Sequence, residues 1–279
     1  MRIDGKLLAS SIVTTLREEV SVLKIKGIIP HLAVILVGND PASVAYVNQK
    51  KLKGESIGMQ VSVQNYIEHV TTEELILVIK KLNKDNNTHG IIVQQPLPSH
   101  IEAHKITEAT DPKKDVDGFH PHSSFTPPIA EAVEEILKTV AAEKNEVFKD
   151  WIKTQSIVVI GKGETGGAPI IERMKKLGVA PTVIDSRTEH PQSVKKSADI
   201  IISCVGKEGV VKPEDLKPGV ILLSIGMYRG KDSKLHGDYE EDVIKNIASY
   251  YTPVPGGVGP VNVAMLLKNL IDAAEASPN

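Results

Sequence analysis

The sequence predicts an α/β fold in two domains. Short apolar runs of strand length alternate along the chain with stretches of helical periodicity. The 279 residues exceed one small core and suit two modest ones. A buried run midway passes straight into a glycine-rich turn, the pattern of a Rossmann-like nucleotide-binding domain with a mainly parallel sheet. Residues 1–118 are expected to form one domain, completed by the C-terminal helix 261–279. Residues 119–260 then form the nucleotide-binding domain with its linker helix.

Leu8, Ile12, Leu16 and Val20 recur one helical turn apart and predict a first amphipathic helix. His31–Val37 is a buried strand, ended by the turn and cap signal Gly38-Asn-Asp-Pro41. A helix over 42–57, a short strand near Val61, a helix over 73–82 and the strand Gly90–Val93 follow. Pro96 and Pro98 break that last strand. Residues 120–128 read as loop, and 130–143 as a helix joining the domains. Beyond Trp151 the runs 156–160, 182–184, 199–202 and 220–223 have the two-sided apolar character of parallel strands covered by helices. A final helix over 261–276 follows a proline- and glycine-rich stretch.

Composition narrows the function. Hydrophobic residues make up 41% and charged residues 24%, which excludes a disordered tail, a collagen-like rod or a coiled coil. A net charge of −2 offers no basic face for nucleic acid. The lone Cys204 excludes an intramolecular disulfide and a cysteine-rich zinc site. The start, MRIDGKLLASS, holds no apolar run of signal length, and no stretch reaches a membrane span. A soluble, cytoplasmic protein with no membrane partner is expected.

The turn after the strand 156–160 reads Gly161-Lys162-Gly163-Glu164-Thr165-Gly166, with a helix beyond it. Glycines here let the backbone turn tightly and approach a pyrophosphate at the helix N-terminus. A plain glycine turn is the alternative, but the flanking strand and helix favour a dinucleotide site. Asp185, at the end of the next strand, lies near the ~20-residue spacing of an acid that accepts the ribose hydroxyls of NAD. Lys162, Ser186 and Arg187 suit the 2′-phosphate of NADP instead. Two cations against one anion favour NADP, with NAD possible.

Tyr46 and Lys50 lie one turn apart on a helix and face one side. The run Lys50-Lys51-Leu52-Lys53 otherwise looks like an ordinary exposed, solvated face. Gln94 and Asp117 stand in strand-end loops, where α/β sites form, and a lysine beside such groups can have its protonation tuned. A Tyr-x-x-x-Lys pair also marks short-chain dehydrogenases, but there it follows the nucleotide loop. The pair His120 and His122 has no ligand partner at a recognised spacing, so polar loop histidines and no metal are expected. Cys204, in an apolar run, reads as an inert core residue.

Several stretches together resemble the bifunctional methylenetetrahydrofolate dehydrogenase/methenyltetrahydrofolate cyclohydrolase family. They are Val37-Gly-Asn-Asp-Pro-Ala-Ser43 with Tyr46 and Lys50, Val93-Gln-Gln-Pro-Leu-Pro98, Lys114-Asp-Val-Asp-Gly-Phe-His-Pro121, and Thr252-Pro-Val-Pro-Gly-Gly-Val-Gly-Pro260 with Val263-Ala-Met-Leu266. The likeness spans nearly the whole chain in order. It implies two domains around a cleft, a homodimer, and a folate substrate. It also implies oxidation of 5,10-methylenetetrahydrofolate with NADP, then hydrolysis of the methenyl product to 10-formyltetrahydrofolate. Lys50 would be the acid/base residue, Gln94 its holder, Tyr46 a packing surface for folate and Asp117 the pterin anchor. Pro255, Gly256, Gly259 and Pro260 would also meet the folate, and Gly206 and Met227 the cofactor. The sequence departs from the family pattern at Lys162, Gly163, Asp185, Ser224, Met227, Tyr228 and Asn262. Alternative readings are a cyclohydrolase with impaired or lost hydride transfer, a noncatalytic nucleotide-binding sensor, or a dehydrogenase for another small substrate.

Overall fold

The computed structural model describes residues 1–277. Its opening elements are α1 (Gly5–Ile25), β1 (His31–Val37), α2 (Pro41–Ser56), β2 (Gln60–Tyr66), α3 (Thr72–Lys84), β3 (Gly90–Val93) and α4 (Ala103–Ala109). Then come α5 (Pro128–Glu143), α6 (Phe148–Trp151), β4 (Ile157–Ile160), α7 (Gly167–Lys176), β5 (Thr182–Ile184), α8 (Pro191–Ser197) and β6 (Ile200–Ser203). The chain closes with β7 (Ile221–Ser224), β8 (Met227–Arg229), β9 (Leu235–Gly237), α9 (Glu241–Ile244), β10 (Tyr250–Tyr251) and α10 (Val258–Ala276).

Two compact units result. The first is Ser10–Pro128 with the chain from Val263 onward, and the second is Met1–Ala9 with Ile129–Asn262. Two differences from the sequence boundaries have local causes. Asn269 Nδ2 donates to the carbonyls of Val116 and Thr126, both at 3.0 Å, which ties residues 119–128 to the first unit. The first residues join the second unit because Ile3 N–H donates to Tyr251 O at 2.8 Å and Arg2 bridges Tyr251 in parallel.

In the first unit a parallel sheet has the order β2-β1-β3. Its centre, β1, is buried from Leu32 to Val37, as a strand covered on both faces must be. Leu75 and Ile79, one turn apart on α3, are fully buried against Ile35, Ile101 and Ile106. A capping box between Thr71 and Glu74 starts that helix. Asp40 caps α2, accepting the Ser43 N–H at 2.8 Å, and Pro41 opens its first turn.

In the second unit five parallel strands run in the order β10-β7-β6-β4-β5. The order reverses between β4 and β6, so the carboxyl ends of these two strands form a topological switch point. The helix expected over 130–143 is α5, whose Val133, Ile136 and Leu137 are fully buried. The short helices α4, α6, α8 and α9, strand β10 and the antiparallel hairpin β8–β9 were not legible as periodicity. Each is too short for an apolar repeat to recur often enough to stand out.

Candidate active site

In the first unit α2 carries Tyr46 and Lys50, and Gln94 directly follows β3. The Gln94 N–H continues the ladder by donating to Ile35 O at 2.9 Å, which fixes where its side chain begins. Lys50 Nζ donates to Gln94 Oε1 at 3.1 Å, and Gln94 Nε2 donates to Gln95 O at 2.6 Å. The glutamine therefore has its amide orientation set on one side and its acceptor aimed at the lysine on the other. Lys50 is only 8% exposed, which corrects the exposed face read from the charge run. Its neighbours Leu52 and Lys53 do point to solvent. Tyr46 is half-buried, and burial pushes its hydroxyl pKa up, so it stays neutral.

Asp117 is half-buried and shares a small cavity with Val93, Gln95, Thr107, Asp115 and Phe119. Among the described residues none donates a hydrogen bond to its carboxylate, so its acceptors remain open to a ligand. Asp115, which the sequence reading passed over, is buried and holds the loop. Its carboxylate accepts the His120 N–H at 2.8 Å and its carbonyl accepts the Gly118 N–H at 3.0 Å. Gly118 sits at φ +72°, where a side chain would be strained and would strike Pro127. Burial raises the Asp115 pKa, and the Asp117 charge adds to that rise. Lys114 is a strut, its Nζ donating to the carbonyls of Leu82 in the last turn of α3 and of Asp85 at its end. His120 Nδ1 accepts the His122 N–H at 3.0 Å.

The second unit places the glycine turn at the switch point. Gly161 adopts φ +88° and donates to Ile184 O at 2.8 Å. A Cβ on Gly163 would meet nothing within 4 Å, so this backbone lies open to a ligand. Gly166 caps α7 without any side-chain bond; in the first turn the Ala168 N–H donates to Gly163 O at 3.1 Å and Pro169 has no N–H, which leaves the Gly167 N–H to face an anion. Close packing falls to Gly167 rather than Gly166, because a Cβ on Gly167 would overlap the Gly161 carbonyl. Glu164 and Thr165 form the exposed crest of the turn, and Ser186 is exposed beyond β5.

The charges meant for a 2′-phosphate are already in use. Lys162 Nζ lies 2.7 Å from Asp185 Oδ2, and Arg187 reaches the same oxygen at 3.5 Å while its N–H donates to Oδ1 at 2.9 Å. The Lys162 hydrogen bond first, and the Arg187 N–H next, lower the Asp185 pKa to about 2. The folded pKa is depressed, so this pairing is present above the unfolded value of 3.8 and lost as pH falls toward 2. The cluster keeps one net positive charge at neutral pH and suits an anion.

Residues 3–117 match the family described as tetrahydrofolate dehydrogenase/cyclohydrolase, catalytic domain, and residues 128–278 match its NAD(P)-binding domain. The chain belongs to this family. A curated relative from Lactococcus lactis subsp. cremoris, named bifunctional protein FolD, is 38% identical over 280 residues, covering 99% of this chain and 98% of its own. The solved structure of bifunctional FolD methylenetetrahydrofolate dehydrogenase/cyclohydrolase from Campylobacter jejuni has a TM-score of 0.92 at 35% identity, covering 99% and 98% of the two chains. The Trypanosoma brucei enzyme, solved with NADP cofactor and an inhibitor, has a TM-score of 0.91 at 31% identity over 99% and 98%.

Within the family's NAD(P)-binding domain the departures from the family pattern are absorbed locally. Ser224 is buried, its N–H donating to Thr252 Oγ1 at 2.9 Å and its hydroxyl to Gly226 O at 3.2 Å. Tyr228 stacks on His236 across the β8–β9 hairpin, ring centroids 5.6 Å apart. Met227 opens β8, and a Cβ on Gly206 would meet its carbonyl at 2.9 Å. Asn262 lies half-buried on α10. Pro255 and Gly256 precede α10, with Gly259 and Pro260 in its first turn, all in the second unit. Gly256 needs its φ of +105°, and Gly259 opens onto free space.

Cys204 follows β6, and burial, with the Asp238 charge behind it, pushes its thiol up to about 12. The thiol is the nucleophile only as thiolate, so at pH 8 it reacts with a disulfide reagent about 10²–10³-fold more slowly folded than in urea. Equal rates in a stopped-flow comparison would contradict this inertness.

Proposed function

We propose that the chain is a bifunctional enzyme of folate one-carbon metabolism. It oxidises 5,10-methylenetetrahydrofolate and hydrolyses the resulting 5,10-methenyl compound to 10-formyltetrahydrofolate. The observation that carries this reading is the Lys50–Gln94 pair, a nearly buried ammonium aimed by an oriented amide at the carboxyl end of a parallel sheet. It stands in the domain that matches the family's catalytic domain.

Asp117 accepts hydrogen bonds from the ring N–H and amino groups of the pterin, which a carboxylate suits. Tyr46 packs on the folate beside Lys50. The Gly161–Gly166 turn and the α7 N-terminus hold the pyrophosphate, while Lys162, Ser186 and Arg187 hold the 2′-phosphate. The bound nicotinamide supplies the hydride acceptor. In the hydrolytic step water adds to the bridge carbon and the bond to N5 breaks. One water proton ends on N5, the other leaves to solvent, and Lys50 relays between them. A cytoplasmic homodimer completes the reading, as in the family resemblance.

The test is an absorbance assay with 5,10-methylenetetrahydrofolate and each nicotinamide cofactor, following reduced cofactor and methenyl compound separately. The reading expects both signals. Methenyl hydrolysis without cofactor reduction would leave a cyclohydrolase alone.

NADP is the preferred cofactor in this reading, by a margin that Asp185 narrows. Asp185→Ser frees Lys162 for the phosphate and raises the NADP-to-NAD ratio of kcat/KM by about tenfold. Arg187→Ala lowers NADP affinity about threefold to tenfold, a modest effect because its side chain is 81% exposed, and hardly touches NAD. A wild type with the higher kcat/KM on NAD would reverse this preference.

A further inference from the structure

Asp238 is wholly buried in the second unit, and among the described residues its carboxylate meets no cation. Ser203 Oγ donates to it at 2.6 Å, and the N–H groups of Val205, Gly206 and Lys207 donate at 3.0, 2.7 and 3.0 Å. Three successive backbone donors on one anion form a small nest that fixes the loop after β6.

The same carboxylate also governs the loop after β7. A Cβ on Gly226 would meet Asp238 Oδ2 at 2.5 Å and Val205 N at 2.7 Å, so the two loops touch across it. Ser224 Oγ accepts the Asp238 N–H at 3.0 Å, and the β8–β9 hairpin returns the chain from Met227 to this position. The glycine turn leans on the assembly too, since a Cβ on Gly161 would meet Cys204 O at 3.2 Å. Two loops at the carboxyl end of the sheet therefore meet at one charge, and the glycine turn packs against the first of them.

The sheet order says which part of a dinucleotide these loops serve. Asp185, Lys162 and Arg187 occupy the β4–β5 side of the switch point, the adenosine half. The loops after β6 and β7 lie on the other half. Resting on the proposed function, we infer that Asp238 is a positioning residue for the nicotinamide half of the cofactor. It acts through residues 205–207 and Gly226 rather than by touching the ligand.

The experiment is calorimetric titration of wild type and Asp238→Asn with NADP and with 2′,5′-ADP, which carries the adenosine half alone. An asparagine presents an NH₂ group where an N–H donor needs an acceptor, so the loop loses its anchor. The inference expects NADP affinity to fall about 10–100-fold while 2′,5′-ADP stays within about twofold. The nicotinamide fluorescence of saturating NADPH should also lose its enhancement on the variant. Equal losses for both ligands, or no loss for either, would overturn the assignment. If Asp238→Asn does not fold, Ser203→Ala keeps the charge and removes one donor. It should show the same contrast at about threefold, and its absence overturns the proposal equally. A wild type that binds 2′,5′-ADP but not NADP would refute this inference, whereas one that binds neither would refute the reading beneath it.

Discussion

Lys50→Met should lower hydrolysis of the methenyl substrate by about 10²–10⁴-fold, the usual cost of removing a general acid/base. The site is nearly closed, with Lys50 8% exposed, so a long unbranched apolar side chain fits where the lysine stem lay. What the variant leaves behind is Gln94 Oε1 without its donor at 3.1 Å, worth about 1–3 kcal/mol if no water reaches it. The protein should therefore stay folded, as circular dichroism and thermal melting would show. A folded variant with near-normal hydrolysis would remove Lys50 from the mechanism. Gln94→Ala should follow it in direction with a smaller loss, because the lysine stays but is no longer aimed.

Asp117→Ala should weaken folate binding by about 1–3 kcal/mol, since pterin donors are then buried without an acceptor. Titration with the folate substrate measures this directly. NADP affinity should not change, because Asp117 belongs to the first unit and the glycine turn to the second. Loss of cofactor affinity with folate affinity intact would contradict the placement. The loop itself should survive, held by the buried Asp115 through His120 and Gly118 rather than by Asp117.

Much of the candidate site is legible in the sequence, because its parts sit where local pattern changes. Asp40 and Pro41 announce the start of the helix that carries Tyr46 and Lys50. Gln94 marks the point where the apolar run Gly90–Val93 stops. The glycine turn stands between a run of four buried residues and a helix. The difference between Lys50 and Lys53 could not be read that way. Both belong to one run of charges, and only the packing of α2 on its sheet closes one off from water and leaves the other in it. Asp115 and Asp117 are likewise indistinguishable in their motif, yet one is turned inward as a buried strut and the other presents open acceptors.

The sequence by itself determined the α/β class, the positions of the longer strands and helices, the glycine turn between strand and helix, and the family. These depend on interactions within a few residues, or on a linear order of motifs. The tertiary structure alone decided which charged groups meet. Lys50 and Gln94 are 44 residues apart in the chain, and Asp238 is 32 residues from Gly206. Lys162 and Asp185 come together only because β4 and β5 lie side by side in the sheet. The reason is physical: a carboxylate or an ammonium is read locally as a solvated charge, and it becomes a strut, an anchor or an acid only when the folded chain takes away its water.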